Sequence, residues 1–262
     1  MKYILYIFLA GMVACNDGEK ASKPAYTNSS KESELLKLLK EYPDSALLVE
    51  ELAQNYRDSG DYTRALSTVS GALQRDTTNA RLWNVKALLH AENGDTALSL
   101  LALERSVAIF PNPDVVISLG NLYARIKDPG ALEVADELIR IDRPKYEKEA
   151  LFIKGVYYSS TGDKTKAISF FDQCLSQSYS FMEAYLEKAI ALYDLEKYKE
   201  AIGILDKATT LQNNFDQGYY YKGRNYEKIN NITAAKAAYD TALMFDPGYI
   251  EAADARNKLG GR

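Results

Sequence analysis

The stretch Gly155–Leu175, GVYYSSTGDKTKAISFFDQCL, decides the fold because it recurs along the chain. Ala189–Thr209 reads AIALYDLEKYKEAIGILDKAT, and Gly223–Leu243 reads GRNYEKINNITAAKAAYDTAL. Each copy opens on a small residue. An aromatic residue or a leucine stands three places on (Tyr158, Leu192, Tyr226), and an alanine stands twelve places on (Ala167, Ala201, Ala235). The openings at 155, 189 and 223 are 34 residues apart, and Ala53 and Ala87 fall 34 apart in the same way. Ala53–Leu73, AQNYRDSGDYTRALSTVSGAL, repeats the pattern with Tyr56 and Ala65. A fixed period of this size marks a stacked array, in which each unit buries its apolar face only against its neighbours.

The residue types describe two helices and a tight turn per unit. Ala53, Ala87, Gly120, Gly155, Ala189 and Gly223 are small, which lets a first helix lie close to a second. Ala65, Ala131, Ala167, Ala201 and Ala235 play the same part from the second helix. Gly60-Asp61, Gly94-Asp95 and Gly162-Asp163 supply turns, where glycine tolerates positive φ. Pro111 and Pro247 stop second helices. On these residues the chain resembles the tetratricopeptide repeat (TPR) family. The resemblance implies an all-α fold, a right-handed TPR superhelical solenoid of antiparallel helix pairs. Six units fit, at 46–79, 80–113, 114–147, 148–181, 182–215 and 216–249. A capping helix is expected over 31–45 and another over 250–262. The third unit is out of register, so an irregular turn is expected around Asp128-Pro129-Gly130 and a longer loop near residues 142–147.

Composition argues against chemistry. The chain has 32 Lys and Arg against 36 Asp and Glu, a net charge of −4, one histidine and two cysteines. No basic cluster suggests phosphate-backbone binding, so no nucleic-acid partner is expected. The sequence holds no zinc-type Cys/His spacing and no nucleotide-loop, hydrolase-elbow or metalloprotease motif. His90 falls where the repeat family usually has tyrosine, and Cys174 where it has alanine, so both are expected as packing residues. No catalytic residue, metal or cofactor is expected.

The front end has another character. Tyr3–Ala14 is a 12-residue apolar run behind Lys2, shorter than the ~20 residues that span a bilayer and of the length of a secretory h-region. Val13-Ala14-Cys15 resembles the lipobox of bacterial lipoproteins, with Met12 in place of the usual leucine. That resemblance implies a signal peptide at 1–14, cleavage before Cys15 and lipidation of its sulfur and amino terminus. More than one acyl chain gives stable anchoring. Residues 15–30 read as a flexible tether with a reach of roughly 20 Å. Asp17 and Glu19 resemble the export signal of surface lipoproteins in Bacteroidota. The expected place is the cell envelope, lipid-anchored at the outer membrane on its periplasmic or surface face.

Family resemblance also implies that first helices line a concave groove. The residues it puts there are Asn84, Leu88, Ile117, Asn121, Phe152, Val156, Leu186, Ile190, Tyr193, Tyr220 and Arg224. Toward the C-terminal half this row is apolar and aromatic. Either it receives a segment of a protein or peptide partner, or the stack curls until these side chains bury one another. The cationic clamp that binds acidic chaperone tails is missing, because Glu50, Gln54, Val85, Asp114 and Ser118 stand at its places. The expected function is a non-catalytic, envelope-tethered interaction scaffold. A self-associating structural lipoprotein, or a pilotin-like assembly factor, is the alternative, so a homo-oligomer stays open.

Overall fold

In the computed structural model the described residues are 28–260. Cys15, the leader 1–14 and residues 16–27 of the expected tether lie outside them. The described residues form thirteen α-helices and no strand. Their contacts separate into two compact units, one through Val116 and one from Ile117 onward.

In the first unit α1 (Asn28–Glu41) precedes two antiparallel pairs, α2 (Ala46–Asp58) with α3 (Tyr62–Arg75) and α4 (Ala80–Glu92) with α5 (Thr96–Ile109). Residues 28–30, expected as tether, are helical. The starts of α2 to α5 each follow from a short polar side chain that captures an orphan amide. Ser45 accepts from Leu48 N–H, Asp61 from Arg64, Asn79 from Leu82 and Asp95 from Leu98. Such a cap contributes about 1 kcal/mol. The core joins Leu35, Val49, Leu52, Ala53, Tyr56, Ala65 and Val69 with Leu82 and Leu89.

In the second unit α6 (Pro113–Arg125), which begins before the boundary, leads into α7 (Gly130–Thr161) and α8 (Lys164–Gln177). Then come α9 (Met182–Asp194) with α10 (Tyr198–Leu211), α11 (Asp216–Lys228) with α12 (Ile232–Phe245), and α13 (Ile250–Gly260). The loop expected over 142–147 is not there. The helix breaks only at Asp142 (φ −158°, ψ 91°) and restarts at once. Asp142 Oδ1 accepts from Lys145 N–H at 3.3 Å, capping the restart. Pro144 therefore sits in a first turn, where its missing N–H costs nothing. The extra residues of the slipped unit become additional helix rather than loop.

Three helix-to-helix turns use glycine at positive φ: Gly60 (76°), Gly94 (83°) and Gly162 (102°). The corresponding turns after α6, α9 and α11 force Lys127 (67°), Glu196 (60°) and Asn230 (59°) into the same region. A residue with a Cβ is disfavoured there by about 1–2 kcal/mol, asparagine least. Glu196→Gly is therefore expected to stabilise by roughly 0.5–1 kcal/mol, the larger backbone entropy of glycine taking back part of the relief. A higher urea midpoint checks it, and an unchanged or lower one refutes it.

The second unit also carries a charge ladder that the sequence reading missed. Asp136 pairs with Lys154 (2.6 Å), Asp172 with Lys188, Asp206 with Lys222 (2.8 Å) and Asp240 with Arg256 (2.9 Å). In each pair a second helix is tied to the first helix of the next unit. The signal was available: 154, 188, 222 and 256 are 34 apart, as are 172, 206 and 240. The pairs are partly solvated, so each contributes about 0–1 kcal/mol. They fix register more than they add stability.

Candidate functional site

His90 and Cys174, the residues whose types are rarest in the chain's reactive inventory, are packing residues. His90 is buried on α4, and burial pulls its pKa below the ordinary histidine value. Cys174 is fully buried on α8, with its Sγ 3.3 Å from Lys148 O, and burial pushes its thiol up to about 12. A thiol held neutral is a poor nucleophile. In a Cys15→Ser background, native protein at pH 8 is expected to resist thiol reagents for hours and to label within minutes in denaturant. Fast native labelling would show that Cys174 opens to solvent.

His90 makes an acid-side prediction. The unfolded chain takes up a proton near pH 6.5, while the folded chain resists it. The unfolded state therefore binds more protons as pH falls through that value, and stability is lost. His90→Tyr, which restores the usual repeat residue, is expected to show a smaller Tm drop than the parent between pH 7.5 and 5.5. An equal drop refutes it.

Among the described residues no group of three or more His, Cys, Asp or Glu side chains is placed to hold a metal ion. Nor is any described helix long and apolar enough to cross a membrane.

The expected groove row divides between the two units. Asn84 and Leu88 are half-buried on α4 in the first. In the second, Ile117 and Asn121 are half-buried on α6, and the Asn121 side-chain oxygen is shielded from solvent without a hydrogen-bond partner. Of the two alternatives for the row, open or buried, Phe152 and Val156 take the buried one. Phe152 is 6% exposed and Val156 2% exposed. The Phe152 ring lies 5.0 Å from that of Phe181 and 5.9 Å from that of Phe171. The first helices before and after this one, α6 and α9, are joined by Arg125 and Glu187 at 2.9 Å. Two expected contact residues thus lie in the core, Phe152 against a ring of its own helix pair and a ring just before α9.

Farther along, the row stays accessible. Leu186, Ile190 and Tyr193 on α9 and Tyr220 and Arg224 on α11 are all half-buried. Tyr193, Tyr220 and Arg224 converge. The Arg224 guanidinium carbon lies 4.7 Å from the Tyr193 ring centre, 5.4 Å from Tyr221 and 5.9 Å from Tyr220. The Lys228 ammonium lies 5.6 Å from the Tyr193 ring. Tyr220 in turn packs against Tyr249 (4.9 Å) and Tyr239 (5.9 Å). The sequence marked Tyr193, Tyr220 and Arg224 singly, but Tyr221 and Tyr249 were missed. Tyr221 is adjacent to a marked position and Tyr249 is the last residue of its unit, places where the repeat pattern carries no signal.

Comparison with known proteins fits this architecture. Residues 50–112 match a family described as "Tetratricopeptide repeat", and residues 216–249 match a second of that description. Residues 127–208 match "Anaphase-promoting complex, cyclosome, subunit 3". A solved tetratricopeptide repeat protein from Parabacteroides merdae superposes with a TM-score of 0.76 at 18% identity, over 90% of this chain and 93% of that one.

The chain is an all-α tetratricopeptide-repeat solenoid.

A second solved repeat structure, PilW, described as a widely conserved type IV pilus biogenesis factor, has a TM-score of 0.60 at 17% identity, over 79% of this chain and 96% of that one. At such identities the likeness concerns the fold alone. A TPR repeat-containing protein of Methanocaldococcus jannaschii is 25% identical over 205 residues, 71% of this chain and 34% of that protein. Stress-induced-phosphoprotein 1 of Caenorhabditis elegans is 25% identical over 172 residues, 64% of this chain and 51% of that protein. The chain thus spans between about a third and a half of the length of these curated relatives.

Proposed function

We propose that this solenoid is a non-catalytic scaffold, held at the cell envelope by a lipid on Cys15, that binds a segment of a partner protein along α9 and α11. The observation that carries the reading is the half-exposed row Leu186, Ile190, Tyr193, Tyr220 and Arg224. Apolar and aromatic side chains that stay accessible beside a packed core favour a partner over water. The lipobox resemblance supports the tether, and the outer membrane is the proposed site.

Leu186→Glu with Ile190→Glu places two charges on the row at positions that are not fully buried. Crosslinking and pull-down from membranes should lose the partners that the parent captures, with the helical circular-dichroism signal retained. Unchanged partners on a folded variant would overturn the scaffold reading. Separately, Cys15→Ala should move the protein from the membrane to the soluble fraction, and continued membrane partition would place the anchor elsewhere.

Self-association is the competing reading. It is favoured by Met244 (66% exposed) and Ile250 (71% exposed), which flank the turn between α12 and α13. Sedimentation of the acyl-free protein as a monomer at micromolar concentration would remove it.

A further inference from the structure

Resting on the lipid anchor proposed at Cys15, we infer that the outward face of α5 is a membrane-contact face. Leu98, Leu101, Ile109 and Phe110 enter the interface of the bilayer that holds the anchor. Leu98, Leu101, Arg105 and Ile109 stand three or four residues apart, so they form one stripe along the helix, and Phe110 follows at its end. The four apolar residues of this stripe are between 38% and 62% exposed. The opposite face packs on α4, where the buried Ser99 and Ser106 donate to Ala87 O and Ala80 O. Glu104 and Arg105 are the only charges on α5. A helix so nearly apolar all round is normally covered on every side. The repeat shows that these places do not themselves demand apolar residues. One period of 34 residues earlier they hold Arg64, Ser67, Arg75 and Asp76, and two periods later Lys166, Ser169, Gln177 and Ser178. Polar residues serve the packing of a second helix there, so the apolar stripe on α5 answers to something outside the unit.

The tether names the occupant. The chain from Cys15 to Asn28 spans at most roughly 45 Å even when fully extended. A compact unit of the size of the first one is roughly 30–40 Å across. The acylated sulfur therefore holds the first unit within reach of the bilayer, and the contact becomes intramolecular. A patch too small to bring a soluble protein to a membrane suffices under that condition. A single helix ridge is convex and grips no side chain, but a fluid interface closes around it. Interfacial helices combine an apolar face with long cationic side chains. Arg105 lies between Leu101 and Ile109, exposed and without a carboxylate partner among the described residues. Its stem can lie beside the leucine while the guanidinium reaches the lipid phosphates. On a chain of net charge −4, apolar burial rather than attraction to anionic lipid holds the contact, which should survive high salt.

The test uses the acylated chain, purified from membranes and reconstituted in vesicles of phosphatidylethanolamine and phosphatidylglycerol. Leu101→Cys then supplies one reactive thiol, since an acylated Cys15 is a thioether and Cys174 is buried. An environment-sensitive fluorophore on that thiol should shift to the blue and be quenched by nitroxide-bearing lipid, at low and at high salt. The same label on Ser169→Cys, the matching place on α8, should do neither. A second measurement uses acyl-free protein carrying one synthetic alkyl chain on Cys15, a marginal anchor. There Leu98→Ser with Leu101→Ser should lower vesicle partition about tenfold or more. Both leucines are exposed, so the fold tolerates the change. A chain that floats with the vesicles while its label at 101 reports water would overturn this inference and leave the anchor standing. A blue-shifted label that the lipid quencher does not reach would mean that protein, such as a second copy, covers α5, and would overturn it as well. A chain that does not float with the vesicles would overturn the anchor and this inference together.

Discussion

Phe171→Ala is expected to lower the unfolding free energy by about 3–5 kcal/mol, and Gly155→Ala by about 1–3 kcal/mol, while the double variant falls well short of the sum. Phe171 is fully buried on α8 and is the partner for which Gly155 on α7 leaves room. A Cβ built on Gly155 would stand 2.4 Å from Phe171 Cε1 and 2.7 Å from its Cδ1. No rotamer change of a ring at 0% exposure relieves that contact cheaply, because Phe152 packs against its other side. Once Phe171 is alanine, the same Cβ enters the space that the ring has left. Alanine in a helix interior is also better than glycine by roughly 0.5–1 kcal/mol. In that background Gly155→Ala should be neutral or stabilising. Urea unfolding of the four proteins gives the coupling directly. Additivity within about 0.5 kcal/mol would show that the ring moves freely and that the close approach is not what Gly155 is for.

This pairing was half legible. The sequence marked Gly155 as small because a helix must come near, without saying which side chain required it. The structure supplies a rule. Sixteen residues after four of the six small openings stands a fully buried residue: Val69 after Ala53, Phe171 after Gly155, Leu205 after Ala189 and Tyr239 after Gly223. In these four pairs alanine faces the aliphatic partners and glycine the rings, whereas Gly120 in the slipped unit faces Val134 and Ile153. Gly223 repeats the geometry, since its Cβ would stand 2.4 Å from Tyr239 Cε1. Local period and composition carry that information because both members recur in register. They do not carry the restart at Asp142, where one residue's backbone angles decide between loop and helix. Nor do they carry the burial of Phe152 and Val156. For Phe152 that depends on where the rings of Phe171 and Phe181 come to rest, which the repeat pattern does not encode. The charges around Tyr193 were visible as letters. Their convergence depends on α9 and α11 being adjacent first helices, which only the stacked arrangement brings about.

Deleting α13 is the other change with a large expected effect. Residues 250–260 bury Ala252 and Leu259 against the last helix pair, where Leu259 joins Ala235 and Tyr239 in one cluster with Tyr220, Tyr226 and Ile232 around it. Losing Leu259 alone removes about 1.5–3 kcal/mol of burial, and Asp240 loses Arg256. In a stack each element is held only by its neighbours, so an uncovered pair frays first and the loss spreads inward. Amide exchange in α11 and α12 should therefore speed up by at least tenfold, with α2–α5 unaffected. The uncovered Tyr239 face should drive self-association visible by sedimentation. Lys258→Gln, an exposed change on the same helix, should do neither. The deletion also reaches the proposed partner row without altering one of its side chains, because Tyr220 packs against Tyr249 and Tyr239 beside Arg224. Partner capture along α9 and α11 should fall together with the exchange protection of α11. Protection that survives the deletion would mean that the last pair folds without its cover, and that α13 has another role.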